Sequence, residues 1–285
     1  MKRNDFRFLE TLRVRWAEVD MQRIVFNGHY LMYIDTAVAG YWRALALPYH
    51  DTMVAMQGDL YVRKATLEYE GSARCDDQLA VGVRCGRISN SSLIFHSAVF
   101  RGAQRLVHGE LVYVFADPTT QTSRPVPAAL RTLLHGFEAG EPVVEVRVGD
   151  WASQGAAAQV IRHTVFAAEQ GIQADLMCDE ADATAVHALA FNRMGVPVAS
   201  GRLLAAGPGV AQIGRMATVA VLRGAGVGAA VLQALLQAAR QRGDHEVLLH
   251  AQTSAVGFYR RAGFVEQGPV FEEAGVAHQT MRRHL

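Results

Sequence analysis

Along residues 12–16 apolar side chains alternate with charge. Leu12, Val14 and Trp16 are separated by Arg13 and Arg15, the period of two that predicts a half-buried strand. After Asn27 the period lengthens. Tyr30, Tyr33, Ile34, Ala37, Tyr41 and Leu45 recur at intervals of three and four, an apolar stripe that predicts a helix of about five turns. Four further strands are predicted over 62–69, 79–85, 93–100 and 107–115. Their separators, GSARCDD, GRISNSS and RGAQR, are short and turn-like, as an antiparallel meander requires. One long helix with a run of antiparallel strands is an α+β layout, the sheet laid over the helix.

Between 116 and 146 the pattern breaks. Prolines and small polar residues lead to a short apolar helix over 128–134, then to Gly136, Gly140 and Pro142. Such punctuation predicts two domains, 1–140 and 141–285. The second opens with a strand over 143–148 and an amphipathic helix through Val160, Ile161, Val165 and Ala168. Runs over 186–191 and 196–204 flank NRMG, a hairpin signal. A strand near 213–221 leads directly into RGAGVGAA and a helix ending near Arg242; EVLLHA predicts a further strand, and SAVGFYRRAGF a short helix closed by Gly263. This half reads as mixed α/β.

Composition narrows the classes. Half of the 285 residues are apolar and 19% are charged, enough for two buried cores and unlike a disordered chain. A net charge of +1 excludes a strongly basic nucleic-acid binder, though not a local basic pocket for a phosphorylated ligand. No apolar run approaches the roughly 18 residues of a membrane helix, and MKRNDFRFLETLRVRW carries charges where a signal peptide needs an apolar stretch. Cys75, Cys85 and Cys178 lie far apart with no CxxC pair, which argues against a disulfide framework or a thiolate zinc site. The expectation is a cytoplasmic protein with no membrane insertion, no nucleic-acid partner and no metal; HEVLLH has the wrong spacing for H-E-x-x-H and reads as a strand.

Two places carry candidate chemistry. Asp20 stands between the first strand and the long helix, where orphan backbone N–H groups stabilise negative charge or polarise a carbonyl under attack. A carboxylate there can act as general base or nucleophile. Equally, it can cap a turn or pair with Arg13 or Arg15. Glu18 alternates onto the same face and is expected to face solvent; Asp35 is expected in a salt bridge or dimer contact, and His29 at the helix surface. No G-x-S-x-G elbow occurs, so a serine nucleophile lacks its signature.

The segment RWAEVDMQRIVFNGHYLMYID resembles the signature of hotdog-fold thioesterases of the 4-hydroxybenzoyl-CoA thioesterase-like branch. In that branch an Asp is followed by a short turn, an Ile/Val–Val pair, an aromatic residue and a Tyr, here Asp20, Ile24, Val25, Phe26 and Tyr30. With GELVYVFAD and RPVP, the likeness covers roughly 8–135. It implies an antiparallel sheet wrapped on the long helix, Asp20 as the catalytic carboxylate, and backbone N–H groups near Asn27 and Gly28 on the thioester carbonyl. It further implies a homodimer or homotetramer with a shared site. Met21, Gln22 and Arg23 stand where relatives often have small residues, which leaves the acyl pocket open. Phe26, Tyr33, Tyr41 and Trp42 are candidates for an aromatic-acyl pocket or for core, and Arg124 is a candidate for a basic patch.

The second place is the glycine-rich turn at 223–228, which follows a strand and opens a helix. A P-loop fails for want of Gly-Lys-Ser/Thr. A dinucleotide fold lacks its acid at the end of the next strand, since Asp244 and Glu246 precede EVLLHA. The run R-G-A-G-V-G resembles the R/Q-x-x-G-x-G/A acetyl-CoA motif of the GNAT superfamily. Arg223, Gly226 and Gly228 take its defining positions, with Gly224 and Ala229 beside them in the cradle. SAVGFYRRAGF is similar to that family's later motif, in which a Tyr, here Tyr259, protonates the departing CoA thiolate. The stretch from Ile161 to Gln170 resembles the N-terminal helix of a bacterial subgroup, and the likeness spans 143–285. No acid lies in 210–221 to serve as base; Glu169 is a candidate for that role or a helix-surface acid.

Together these resemblances imply a bifunctional enzyme, an acyl-CoA thioesterase followed by a CoA-dependent N-acetyltransferase. Acyl-CoA is then substrate and acetyl-CoA co-substrate, with no permanently bound cofactor. The alternative is a thioesterase whose second domain binds acetyl-CoA for regulation without transferring it.

Overall fold

The computed structural model describes residues 1–173, 176–273 and 275–285. Helix α1 (Asn27–Ala44) forms where the stripe of three-and-four spacing runs, and it buries Tyr30, Tyr33, Ile34, Ala37, Val38 and Tyr41. That face packs on an antiparallel sheet of β1 (Phe8–Arg13), β2 (Asp59–Tyr69), β3 (Gln78–Ile88), β4 (Ser92–Arg101) and β5 (Gln104–Ala116), in the order β1-β3-β4-β5-β2. Strand β3 is central enough to bury Leu79 to Val83 without alternation, because Phe6 and Phe100 cover the face away from α1. Two short helices complete this unit: α2 (Tyr49–Ala55), which the apolar pattern does not mark, and α3 (Ala128–Glu138). Chain contacts group these elements into one unit, Met1–Val143.

One expectation is corrected here. The alternation of Leu12, Val14 and Trp16 runs past the end of β1, and Trp16 is 82% exposed. The strand stops because Glu18 folds back, accepting the Arg15 backbone N–H at 2.8 Å and closing a 3₁₀ turn over Trp16–Glu18.

The second unit, Val144–Leu285, is built on a seven-stranded sheet. Its strands are β6 (Val144–Gly149), β7 (Val186–Asn192), β8 (Pro197–Gly207), β9 (Val210–Thr218), β10 (Glu246–Gln252), β11 (Val265–Glu273) and β12 (Val276–His284), in the order β11-β12-β10-β9-β8-β7-β6. Among the described residues only β9 and β10 pair in parallel, and only from Glu246 to Leu249, opposite Val210 to Ile213. Beyond those residues the two strands no longer pair, and the gap between them is where the candidate site lies. Helices α4 (Trp151–Arg162), α5 (Val227–Arg242) and α6 (Val256–Arg261) pack on the sheet. The α4 helix does not continue regularly to Ala168, as its pattern predicts. A π-helical segment, His163–Glu169, follows it, and the wider turn buries Val165 and half-buries Phe166 while Ala168 is exposed. Ile161 and Val165 thereby both reach Ala217 on β9. The β11–β12 hairpin carries too little apolar periodicity to be marked in the sequence.

Candidate active sites

Residues 19–25 fold into a narrow loop before α1. Val19 and Val25 bridge antiparallel, the Asp20 N–H donates to the Ile24 carbonyl at 2.9 Å, and the Arg23 N–H donates to the Asp20 carbonyl at 2.9 Å. Asp20 Oδ1 accepts the Gln22 N–H at 2.8 Å, the turn-capping use of an aspartate. Its Oδ2 accepts no hydrogen bond among the described residues. One oxygen of the half-buried Asp20 thus holds the turn and the other is left without a donor among the described residues.

The Phe26 N–H donates to the Glu18 carbonyl at 3.0 Å, so residues 18–20 run alongside residues 24–26 and the carboxylate loop is tied to the start of α1. That start has no side-chain cap. Among the described residues the N–H groups of Asn27 and Gly28 have no acceptor, so two donors remain for an oxyanion. A Cβ on Gly28 would lie 2.9 Å from the Phe26 ring, so glycine is what lets that ring sit beside the helix start.

Glu18 does not face solvent, against expectation. It is 4% exposed, and its carboxylate accepts the Tyr33 hydroxyl at 2.6 Å and Arg15 Nε at 2.6 Å. Burial alone would raise its pKa; the bonds from Tyr33 and Arg15 outweigh burial and hold it below the usual carboxylate value. Glu18 is thus a brace for the loop that carries Asp20. Of the aromatic candidates, Tyr33, Tyr41 and Trp42 are core, and Phe26 is half exposed. On α1, Asp35 is exposed and His29 is half-buried. Arg124 is engaged, with Nη1 on the Gln57 carbonyl and 3.7 Å from Asp117, rather than standing in an open patch.

In the second unit, β9 ends in a 3₁₀ turn (Ala220–Leu222), after which Gly224 and Gly226 both take φ of 83°. Side chains rarely adopt that conformation, and a Cβ at either position would meet nothing within 4 Å, so these glycines shape a backbone that faces open space. Helix α5 starts from Gly226 with no side-chain cap. The N–H groups of Gly224, Gly226, Val227, Gly228 and Ala229 have no acceptor among the described residues. Five unbonded donors at the positive end of a helix suit an anion.

The cradle opens on a cavity of about 820 Å³ whose wall includes Arg223, Gly224, Gly226, Gly228, Ala229 and Tyr259. All the candidate cofactor residues of this half therefore meet at one place. Tyr259 is 7% exposed, its hydroxyl takes no hydrogen bond among the described residues, and burial holds its pKa well above the usual phenol value. A neutral phenol at such a wall is able to donate a proton.

Arg223 and Glu169 were considered for separate tasks, a phosphate contact and an acceptor-side base. They face each other: Arg223 Nη1 and Nη2 bond the two Glu169 oxygens at 2.5 and 2.6 Å. Glu169 therefore lines the cradle cavity beside Arg223. A second cavity of about 340 Å³ adjoins the first, sharing Gln170, Met216, Gln252, Ala255, Tyr259 and Val276 with it. It contains Glu273 and His278, which sequence reasoning did not single out, and His250, which it met only as the end of HEVLLH. The available signal was the alternation of β10, where Val247, Leu249 and Ala251 are buried and His250 and Gln252 point the other way.

Among the described residues no group of three or more His, Cys, Asp or Glu is placed to hold a metal, and no helix is long and apolar enough to cross a membrane.

Comparison with known proteins agrees with this division. The family model described as Thioesterase superfamily matches residues 22–108, and the one described as Acetyltransferase (GNAT) domain matches residues 164–285. The Uncharacterized N-acetyltransferase YjcF of Bacillus subtilis (strain 168) is 32% identical over 43% of this chain and 87% of its own length. The Acyl-CoA thioester hydrolase YbgC of Escherichia coli O157:H7 is 25% identical over 42% of this chain and 89% of its own length. A solved 1,4-dihydroxy-2-naphthoyl-CoA thioesterase from Synechocystis aligns with 46% of this chain and 97% of its own, at 17% identity and a TM-score of 0.43. By its second unit the chain belongs to the GNAT acetyltransferase superfamily, and its first unit is a hotdog domain of the thioesterase superfamily.

Proposed function

We propose that the chain is a bifunctional CoA-thioester enzyme: the hotdog domain hydrolyses an acyl-CoA, and the GNAT domain transfers an acetyl group from acetyl-CoA to an amine. The hydrolytic reading is carried by the joint placement of a half-open carboxylate and an uncapped helix start. The N–H groups of Asn27 and Gly28 donate hydrogen bonds to the thioester oxygen as negative charge develops on it. Asp20 Oδ2 takes a proton from water as it attacks the carbonyl carbon, the C–S bond breaks, and that proton passes to the leaving thiolate; alternatively Asp20 attacks the carbon itself, the thiolate leaves and takes a proton from water, and a second water hydrolyses the mixed anhydride.

The transfer reading is supported by the five free amides of the cradle. The pyrophosphate of acetyl-CoA sits on them and on the α5 N-terminus, with Arg223 at the rim. An amine nitrogen attacks the acetyl carbonyl, the C–S bond breaks, and Tyr259 gives its proton to the departing thiolate. The absence of an acid on β9 favours the second reading, a domain that binds acetyl-CoA without transferring it. Acetylated product from the full chain would decide against that reading.

The first measurement is free thiol release from a panel of short, long and aromatic acyl-CoAs, with wild type and Asp20→Asn compared. Asn keeps an oxygen to cap the turn, so the fold is expected to survive. Hydrolysis is expected to fall by about 100-fold or more. Equal rates in the two proteins would reduce Asp20 to a turn residue.

A further inference from the structure

The proposed transfer lacks one group. Tyr259 supplies a proton to sulfur, but an attacking amine must also lose one, and β9 carries no acid. The adjoining 340 Å³ cavity contains four titratable side chains besides Tyr259 that are able to accept a proton: Asp179, Glu273, His250 and His278.

Three of them are ill suited. Asp179 is held by Arg202 Nη1 and Nη2 at 2.6 and 2.8 Å and by Arg215 Nη2 at 3.0 Å, and these bonds keep its pKa below the usual carboxylate value. A carboxylate so stabilised is a poor base. His278 has only a backbone carbonyl, that of Val276 at 2.8 Å, against its Nδ1, and it sits on β12, one strand further from the gap between β9 and β10. Glu273 is engaged with His250.

His250 differs in each respect. It follows Leu249, the last residue at which β10 pairs with β9, so it stands beside the gap. Its Nδ1 lies 3.1 Å from Glu273 Oε2. A carboxylate only accepts, so Nδ1 carries the hydrogen and Nε2 keeps its lone pair. The ring is fixed edge-on against Phe271, with centroids 5.0 Å apart. When Nε2 takes a proton, Glu273 stabilises the imidazolium. The division of labour is that of a base oriented by an acid, here an exposed one.

We infer that the smaller cavity holds a small primary amine as acyl acceptor, and that His250, oriented by Glu273, is the base that deprotonates it. This rests on the transfer reading above. In the step the amine nitrogen bonds to the acetyl carbon and its proton passes to His250 Nε2. The C–S bond breaks, and Tyr259 protonates the thiolate. A cavity of about 340 Å³ lies at the small end of ligand sites, which suits an amino acid or a small amine. His250 is a catalytic residue in this scheme and Glu273 a positioning residue.

The test uses the full chain with acetyl-CoA and a panel of the twenty amino acids, spermidine, tyramine and glucosamine, reading acetylated product by mass spectrometry. Acetyl-CoA affinity is measured by calorimetry on each variant. His250→Gln is expected to lower kcat by about 100-fold, to leave acetyl-CoA affinity unchanged and to be partly restored by added imidazole. Glu273→Gln is expected to lower kcat about 10-fold with unchanged KM for acetyl-CoA, and Glu273→Asp to recover part of the loss. His278→Gln is expected to keep most of the activity. A His250→Gln enzyme at wild-type rate, or a larger loss in His278→Gln, overturns the assignment and leaves the transfer reading intact. Wild type that binds acetyl-CoA but acetylates no member of the panel overturns both.

Discussion

At the scale of single residues, each candidate site depends on backbone N–H groups that the fold leaves unbonded. Gly226 shows how little tolerance this allows. Its φ of 83° excludes ordinary side chains, and the space beyond it is where an anion must approach the amides. Gly226→Val is therefore expected to abolish acetyl-CoA binding by calorimetry while thiol release at the hotdog domain stays within twofold. Residual binding at wild-type affinity would mean that the cradle does not take the pyrophosphate. Arg223 and Gly226 were legible in sequence because their spacing is a motif. Glu169 was legible only as a candidate base or helix-surface acid; nothing in its neighbourhood says that its carboxylate would meet Arg223.

At the scale of elements, α4, β7, β8 and the 3₁₀ turn Glu180–Ala183 are locked by one buried polar cluster. Arg162 is fully buried and donates to both oxygens of Asp182, at 2.8 and 3.0 Å; Arg202 adds a bond at 2.9 Å. Burial works to raise the Asp182 pKa, but the bonds from Arg162 and Arg202 prevail and bring it to about 2, from 3.8. A folded-state pKa below the unfolded one means that the folded chain binds fewer protons. The stabilisation is complete above about pH 4 and is lost as pH falls toward 2, on the order of 2 kcal/mol. His187, its pKa lowered chiefly by burial, acts in the same direction at higher pH, from about 6.5 downward. Urea unfolding followed across pH 7 to 2 is expected to show the second unit weakening in these two stages. Asp182→Asn is expected to cost about 3–5 kcal/mol at pH 7, because it leaves Arg162 buried without its partner charge. An unchanged midpoint would remove the cluster from the account of stability. Nothing in the sequence marked this cluster, since its members are separated by up to forty residues and share no motif.

At the scale of the whole molecule, β2 is an edge strand of the hotdog sheet, eleven residues long and mostly exposed. Long open edges invite pairing with another chain. Val62 on that edge is 53% exposed, Tyr69 at its end donates to the Asn27 carbonyl at 3.2 Å, and Phe26 and Met32 are exposed on and beside α1. A second copy paired along β2 would lie next to the free amides of Asn27 and Gly28, which supports a dimer that completes the hydrolytic site. Light scattering is expected to give at least twice the chain mass. Val62→Glu is expected to shift the population toward monomer and lower thiol release together, with acetyl-CoA affinity unchanged. A wild-type monomer with full hydrolysis would contradict this.

What the sequence determined by itself was local. Apolar runs and their periods marked α1, the hotdog strands other than the true extent of β1, and most strands of the second sheet, because each of those elements has to bury apolar side chains in a repeat set by its own geometry. Contiguous motifs marked Asp20 and the glycine turn, because a loop and the helix it opens are neighbours in the chain. The tertiary structure decided everything that depends on separated segments meeting. It turned Glu18 inward against Tyr33, set Arg223 on Glu169, widened the end of α4 into a π turn over Ala217, and brought His250 and Glu273 to one cavity wall with Tyr259. No periodicity encodes such meetings, because they depend on which side chains face each other once the strands are ordered and the helices laid across them.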